Sequence, residues 1–109
     1  MKTKLADEKC NEADAKQLRL PAKEIAAFKK QLSGWKLVSG KKLEKKLKFP
    51  DFKAALKYVV KVGNLAEKQG HHPDIFLTYG AVHIQLSTHS VKGLTENDFI
   101  LAAKIDRVS

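Results

Sequence analysis

The segment between positions 81 and 89 constrains the fold of this 109-residue chain more than any other, because apolar and polar residues alternate along it. Side chains of a β-strand point alternately to the two faces of a sheet. One face therefore receives Val82, Ile84, Leu86 and Thr88, and the other receives His83, Gln85, Ser87 and His89. The pattern predicts a sheet that is covered on its apolar face and open to a ligand or a partner on its polar face.

Helices and β-hairpins alternate along the rest of the chain. Helical spacing of apolar residues, with cap and stop signals, predicts helices over 21–33, 51–69 and 95–108. Hairpins are predicted between them, over 35–49 and 75–88. These elements predict an α+β fold: a single layer of four-stranded antiparallel sheet with helices packed on one face, in the order α-β-β-α-β-β-α.

The second helix and the first hairpin also carry expectations about packing. The inward face of the helix is predicted to carry Phe52, Ala55, Leu56, Val59, Gly63 and Ala66, with the glycine marking close packing. Its outer face is predicted to carry Lys53, Lys57, Tyr58, Lys61 and Lys68. In the hairpin, Lys45 falls among the apolar positions and interrupts the alternation.

Residues 1–19 mix both signs of charge without periodicity, and we expect a loose arm without regular structure whose end is tethered by Leu18 and Leu20. Residues 20–109 are expected to form a single domain. No apolar run approaches the roughly 20 residues that cross a bilayer. The lone Cys10 cannot form an internal disulfide. The cytoplasm is the expected compartment, with the nucleus as a second one in a eukaryotic cell.

The net charge of +9 makes nucleic acid the first partner to consider, but the charge is unevenly placed. Residues 1–62 hold 17 basic and 7 acidic residues, whereas residues 63–109 hold 4 and 5. Of the 21 basic residues 19 are lysine, although arginine is favoured for base and bidentate phosphate contacts. We therefore interpret the excess as a solvated surface and expect no nucleic-acid partner.

All four histidines lie in the second, nearly neutral part of the chain. His71 and His72 follow the end of the second helix, where exposed carbonyl groups favour the charged imidazole, and His89 ends the last strand. If these two ends share one edge of the layer, the three imidazoles converge with Glu67, one helical turn before His71. Such a cluster exchanges protons near neutral pH.

Each of these residues also has a structural interpretation. A surface histidine more often hydrogen-bonds or is solvated than catalyses, and we favour that interpretation for His83 in mid-strand. A capping box with Thr95 accounts for Asp98 without any chemistry. The chain has no cysteine near the histidines and no His-Glu-x-x-His motif, so we expect no metal site.

The spacing of these residues resembles a known family. Glu67-Lys-Gln-Gly-His71-His72-Pro73, Tyr79, Ile84-Gln-Leu-Ser-Thr-His89 and Asp98 resemble the signature of the pterin-4a-carbinolamine dehydratases, also called 4a-hydroxytetrahydrobiopterin dehydratases. The likeness extends over 25–108 and includes Phe49-Pro-Asp-Phe52 and Gly93-Leu-Thr-Glu-Asn-Asp98. The family has the helix and hairpin order predicted above.

The resemblance implies removal of water from 4a-hydroxytetrahydropterin to give quinonoid dihydropterin, in the recycling of the pterin used by aromatic amino acid hydroxylases. No metal or organic cofactor takes part. His71 and His89 are implied as the acid and base, with His72 and Glu67 as further catalytic residues and Asp98 as a possible support. The pterin site is implied to consist of Gly70, His71, His72, Pro73, Ser87, Thr88, His89 and Ser90.

The chain departs from the family pattern at a few positions. Ile75 stands where a tryptophan is common, and Gly70 replaces the usual Asn or Asp. Family members form homodimers or homotetramers, and we expect one of these states here. Some animal members also act as dimerisation cofactors of a transcription factor, so a non-catalytic interaction module is the alternative function. The lysines predicted on the outer face of the second helix argue against it.

Overall fold

The computed structural model describes residues 5–10 and 18–108, and its strands form one antiparallel sheet in the order β1-β2-β4-β3. The elements are α1 (Ala22–Lys29), β1 (Lys36–Val38), β2 (Lys42–Lys48), α2 (Phe52–Gln69), β3 (Asp74–Thr78), β4 (Ala81–Leu86) and α3 (Glu96–Asp106). The predicted α+β fold and element order are confirmed. The first helix is shorter than predicted and ends at Lys29. Among the described residues, no helix is long and apolar enough to cross a membrane.

The apolar residues that alternate along β4 form part of the core on one side of the sheet. Val82, Ile84 and Leu86 are fully buried, and they lie beside Leu43 of β2, which is also fully buried. They share the core with α3, in which eight residues from Asn97 to Ile105 are buried. Each large apolar side chain buried in this way contributes about 1.5–3 kcal/mol to folding. The last helix is thus the central helix of the molecule rather than an accessory at its end.

The predicted inward face of α2 is confirmed at Ala55 and Ala66 and is wrong at Phe52 and Leu56, and Tyr58, which was predicted on the outer face, is buried. The buried residues are Ala55, Tyr58, Val62 and Ala66, whereas Phe52 and Leu56 are exposed. Both sets fit a period of 3.6 residues, so spacing alone does not choose between them. The observed phase places two alanines toward the sheet and stacks the Tyr58 ring against Phe49, with 5.2 Å between ring centroids.

The lysine that interrupts the apolar face of β2 has a specific partner on α3. The Nζ atom of Lys45 lies 2.6 Å from Oδ1 of Asp106. Trp35 donates its indole N–H to the same oxygen at 2.8 Å, and the backbone N–H of Ser33 donates to the other oxygen at 2.9 Å. A charged residue is tolerated here because its carboxylate partner is itself held by two further donors.

The N-terminal residues that the structure describes pack on the domain. Leu5–Asp7 forms a 3-10 turn in which Leu5 is buried, and the ammonium group of Lys104 donates to the carbonyl of Ala6 at 2.9 Å. The expectation of no regular structure before residue 20 therefore does not hold for this turn, which α3 stabilises through a distant contact. The rest of the predicted arm, at 1–4 and 11–17, lies outside the described residues.

The end of the predicted arm is attached at one of the two expected positions. The backbone N–H of Leu20 donates to the carbonyl of Leu94 at 2.8 Å, and its side chain packs against the core. Leu18, by contrast, is 65% exposed. Leu20 is therefore the residue that attaches this segment.

Candidate active site

A buried carboxylate at the start of α3 lies at the centre of the candidate site. Asp98 is fully buried and accepts a hydrogen bond from the backbone N–H of Thr95 at 2.9 Å, within the predicted capping box. It also accepts from the hydroxyl of Thr88 at 2.7 Å, and its other oxygen lies 2.6 Å from Nε2 of His71. Capping therefore explains only one of the three contacts of Asp98.

The end of α2 turns His71 toward this carboxylate. Gly70 adopts a left-handed conformation, with φ 69°, and its N–H bonds to the carbonyls of Ala66 and Glu67. The N–H of His71 then bonds to the carbonyl of Ala66 at 3.3 Å, and the imidazole is buried. A left-handed helix end suits glycine best and Asn or Asp next. Gly70 therefore preserves the backbone function of the residue that it replaces in the family pattern.

The donors and acceptors in this cluster determine which atoms carry its protons. Thr88 donates its single hydroxyl proton to Asp98, so the hydroxyl of Thr95, 2.9 Å away, donates to Thr88. An ionised Asp98 accepts from Nε2–H of His71, which fixes the neutral tautomer of that imidazole. A carboxylate in this position also stabilises the imidazolium form, the arrangement that supports a histidine acting as a base.

A cavity of about 300 Å³ lies on the other side of Thr88. Its walls are formed by Lys41, Lys42, Ser87, Thr88, His89, Lys92 and Gly93. His89 begins a 3-10 turn, His89–Val91, that is closed by a bond from the N–H of Thr88 to the carbonyl of Gly93 at 2.8 Å. The structure thus brings three of the predicted site residues, Ser87, Thr88 and His89, to one cavity wall. Asp98 and Thr88 connect this wall to His71.

The remaining predicted residues lie outside this wall. Nε2 of His72 lies 2.8 Å from Oε1 of Glu67, but the two side chains are 62% and 81% exposed. Such an exposed pair contributes little to stability. Pro73 is half-buried after it, and Ser90 is exposed in the 3-10 turn. The expected convergence therefore divides into a buried His71 cluster, a cavity with His89 and a surface pair of His72 with Glu67.

His83 lies on the opposite, open face of the sheet. Its Nε2 is 3.3 Å from a carboxylate oxygen of Glu44, and its ring lies 5.6 Å from that of Phe76. Burial acts to raise the pKa of Glu44, but the hydrogen bond from Gln85 and the charge of His83 outweigh it, so the pKa is lowered. His83 therefore lies beside Glu44 and is not part of the lining of the cavity beside His89.

The sequence interpretation missed two features of the site. The lysine excess is interpreted above as a solvated surface, whereas Lys41, Lys42 and Lys92 line the cavity beside His89; the pair Lys41-Lys42 at a predicted hairpin turn is the signal in the sequence. The bond from His71 to Asp98 joins residues 27 positions apart, and no local pattern indicates it. Among residues 5–10 and 18–108, no group of three or more His, Cys, Asp or Glu is placed to hold a metal ion.

Comparisons with known proteins identify the family of the chain. The family model described as Pterin 4 alpha carbinolamine dehydratase matches residues 18–108. A relative from Alkaliphilus metalliredigens that carries the family name is 44% identical over 104 residues, with 94% of each chain covered. One from Rubrobacter xylanophilus is 40% identical over 106 residues, covering 97% of this chain and 99% of its own.

Solved structures show the same fold. A protein from Brucella melitensis described as a transcriptional coactivator/pterin dehydratase matches with a TM-score of 0.75 and 36% identity, over 81% of this chain and 95% of its own. A pterin dehydratase-like protein described as a RuBisCO assembly factor, at 22% identity and a TM-score of 0.57, shares the fold. With the family model covering the sheet, the helices and the histidine cluster, the chain belongs to the pterin 4 alpha carbinolamine dehydratase family.

Proposed function

We propose that this protein removes water from 4a-hydroxytetrahydropterin to give the quinonoid dihydropterin, and that His71 and His89 move the protons. The observation that carries the proposal is the buried pair of Asp98 and His71, joined through Thr88 to the cavity wall on which His89 lies. Family membership supports the pterin as substrate.

The reaction needs one proton delivered and one removed. The bond between C4a and its hydroxyl oxygen breaks as an acid protonates the departing oxygen, which leaves as water. N5 loses its proton to a base as the double bond between C4a and N5 forms. An imidazole ring can both donate and accept a proton, so two such side chains can serve as this acid and base. Asp98 would act as a positioning residue that holds His71 in one tautomer.

The other predicted residues take supporting roles in this proposal. His72 with Glu67 would contact the pterin ring at the outer edge of the site. Gly70, Pro73, Ser87, Thr88 and Ser90 would shape its walls. The product would be returned to the tetrahydro form for use by an aromatic amino acid hydroxylase, the functional link that the family implies.

The test is an assay of dehydration with chemically generated 4a-hydroxytetrahydropterin, followed by its ultraviolet change. The double variant His71→Ala/His89→Ala should remove the acceleration, and each single variant should lower kcat by about 10²–10⁴-fold. His83→Ala, at a histidine that pairs with Glu44 and does not line the cavity, is the matched control and should keep the wild-type rate. Wild-type protein that gives no acceleration over buffer would overturn the function, and a fully active double variant would overturn the roles.

We further propose that the protein is a homodimer or homotetramer associated through α2. Phe52, Leu56 and Val60 form an apolar stripe along this helix and are 44%, 43% and 51% exposed. Gly63 continues the stripe. Apart from its chain neighbours and the nearby backbone of α2, no atom that the structure describes lies within 4 Å of a methyl group built at Gly63, which leaves room for a second helix to approach. Exposed apolar stripes of this kind are typical of association surfaces.

Light scattering tests the association. The wild-type protein should have two or four times the chain mass, and the variant Leu56→Lys/Val60→Lys should be monomeric. Lys53→Gln, beside the stripe, is the control and should keep the wild-type mass. A monomeric wild type, or a double variant of unchanged mass, would contradict the proposal.

A non-catalytic interaction module is the second candidate. The name of the Brucella relative includes a coactivator role, and the exposed stripe of α2 weakens the argument that lysines cover the outer face of this helix. The same stripe would receive an amphipathic helix of a partner protein. If this is the main function, His71→Ala/His89→Ala should keep it and Leu56→Lys/Val60→Lys should lose it.

A further inference from the structure

The cavity beside His89 is surrounded by cationic side chains. Lys41 and Lys42 lie at the turn between β1 and β2, and Lys92 lies in the loop before α3. None of the described residues that line this cavity is acidic. The three lysines form no salt bridge with any residue that the structure describes. Three positive charges therefore share one cavity without a counter-charge from residues 5–10 and 18–108.

The backbone holds these lysines in place from two separate segments. Ser39 and Gly40 have φ values of 53° and 66°, the signs typical of a tight hairpin turn, and the N–H of Lys41 closes that turn on the carbonyl of Val38 at 3.0 Å. Lys92 is itself in the left-handed conformation, with φ 52°, which costs a residue other than glycine roughly 1–2 kcal/mol. The convergence of charge therefore follows from two fixed turns.

A second and larger cleft adjoins the first at Lys41. Its volume is about 670 Å³, its apolar lining includes Pro21, Ile25 and Leu37, and it is also lined by Arg19 and Lys29. The Arg19 side chain also lies against Gly93 of the first cavity, because a methyl group built on that glycine would be 2.9 Å from Nε. A molecule that extends from His89 past Lys41 would therefore meet apolar surface with further positive charge.

We infer that this site takes pterins whose side chain carries an anionic group, either a phosphate ester or a carboxylate, and that Lys41, Lys42 and Lys92 bind the anion. The inference rests on the proposed function and names its substrate class. The reacting bicyclic ring carries no negative charge of its own, so a side chain is the part of the substrate that lysines would recognise. Lysine ammonium groups suit such anions because each donates three hydrogen bonds from a mobile point charge.

The test compares dehydration of three 4a-hydroxytetrahydropterins: one with an uncharged trihydroxypropyl side chain, the same compound with a terminal phosphate, and one with a glutamate-bearing aryl side chain. We expect kcat/KM to be about tenfold or more higher for an anionic compound, which matches a few modest ion pairs. The larger of the two ratios identifies the phosphate or the carboxylate as the preferred anion. The ratio of kcat/KM for an anionic compound to kcat/KM for the uncharged compound should approach 1 in 0.5 M NaCl.

Matched variants locate the effect. Lys41→Gln/Lys42→Gln/Lys92→Gln should bring the ratio of anionic to neutral kcat/KM to about 1. Lys23→Gln/Lys36→Gln/Lys48→Gln removes the same charge from other exposed positions and should keep the wild-type ratio. Wild-type protein that dehydrates all three compounds equally would overturn this inference and leave the proposed function in place.

Direct binding separates this inference from failure of the proposed function. If no compound is dehydrated, the function fails, and the inference is then decided by fluorescence titration with 7,8-dihydropterins that carry the neutral and the phosphorylated side chain. The inference is supported if the wild-type protein binds the phosphorylated compound with the lower Kd. The triple variant Lys41→Gln/Lys42→Gln/Lys92→Gln should then bind the two compounds with equal Kd. Equal Kd values for the two compounds would overturn it.

Discussion

At Asp98 one carboxylate serves both the start of α3 and the orientation of His71. Its two oxygens accept from Thr95, Thr88 and His71, and the group is fully buried. A buried carboxylate is costly unless it is satisfied in this way. Helix capping and histidine orientation therefore cannot be changed independently at this residue.

The variant Asp98→Asn tests the positioning role. An amide keeps the size of the side chain but offers an NH2 group to one of three donors, so His71 loses its fixed tautomer. We expect kcat to fall by about 10²-fold or more with KM within about twofold. The free energy of unfolding should fall by about 1–3 kcal/mol. Steady-state kinetics and urea unfolding measure the two effects.

Asp51→Asn is the matched control for this variant. Asp51 caps α2 by accepting from the N–H of Ala54 at 2.8 Å, so the same chemical change occurs at a helix start. Asparagine is an equally good N-cap, and we expect little change in rate or stability. An Asp98→Asn variant with kcat within twofold of the wild type would contradict the positioning role.

Tyr58 gives the molecule a measurable alkaline response. Burial, with a further contribution from the negative charge of Asp106, raises the pKa of Tyr58 to about 12. Between pH 10 and 12 the folded state keeps a proton that the unfolded state releases, so stability is lost as pH rises through this window. We expect a loss of about 1 kcal/mol at pH 11 from this group. Urea unfolding at pH 9 and pH 11 measures this loss, and the Tyr58→Phe variant should lose about 1 kcal/mol less than the wild type. An identical loss in both proteins would contradict the assignment of this response to Tyr58.

At the scale of elements, an ion pair joins β2 to α3. Lys45 and Asp106 side chains are each 15% exposed. We expect Lys45→Met to cost about 1–3 kcal/mol, because Asp106 keeps its bonds to Trp35 and Ser33 but loses its counter-charge. A double-mutant cycle with Asp106→Asn, measured by urea unfolding, should give a coupling energy of about 1 kcal/mol or more. Additive single effects would show that the pair does not stabilise the contact.

Elements with local signals were predictable, and the packing between elements was less so. The alternation of β4 and the capping box of α3 depend on neighbours in sequence, and both are confirmed. The phase of α2 depended on which of two helical faces meets the sheet. The spacing of apolar residues favours neither face. In the structure the buried face is the one on which the Tyr58 ring packs against Phe49. The same limit applies to Lys45, whose partner lies 61 positions away.

The candidate site shows the same division. Ser87, Thr88 and His89 lie on one cavity wall because they are consecutive, but β4 ends at Leu86, so the prediction that His89 ends the strand is wrong. The separation of His72 and Glu67 from the buried cluster follows from the turn at Gly70, which directs one histidine inward and leaves the next exposed. His71 is thus buried and His72 is exposed although they are adjacent in sequence. Helical periodicity does not predict this difference at the end of a helix.

At the scale of the whole molecule, the first described turn stabilises the last helix. Leu5 is 1% exposed, and its N–H donates to the side chain of Gln31 at 3.0 Å. Leu5→Ala should lower the free energy of unfolding by about 2–4 kcal/mol in urea titration. Leu18→Ala removes the same atoms at a position that is 65% exposed and should cost little. A loss below about 0.5 kcal/mol for Leu5→Ala would show that the turn does not contribute to the core.

The contacts between that turn and α3 join residues 98 and 100 positions apart along the chain. During synthesis on the ribosome, every strand is therefore made before the helix that covers the sheet and supplies Asp98. The sheet cannot complete its core until α3 has left the exit tunnel. A chain truncated before α3 would expose its apolar sheet face, and it would be a target for proteolysis.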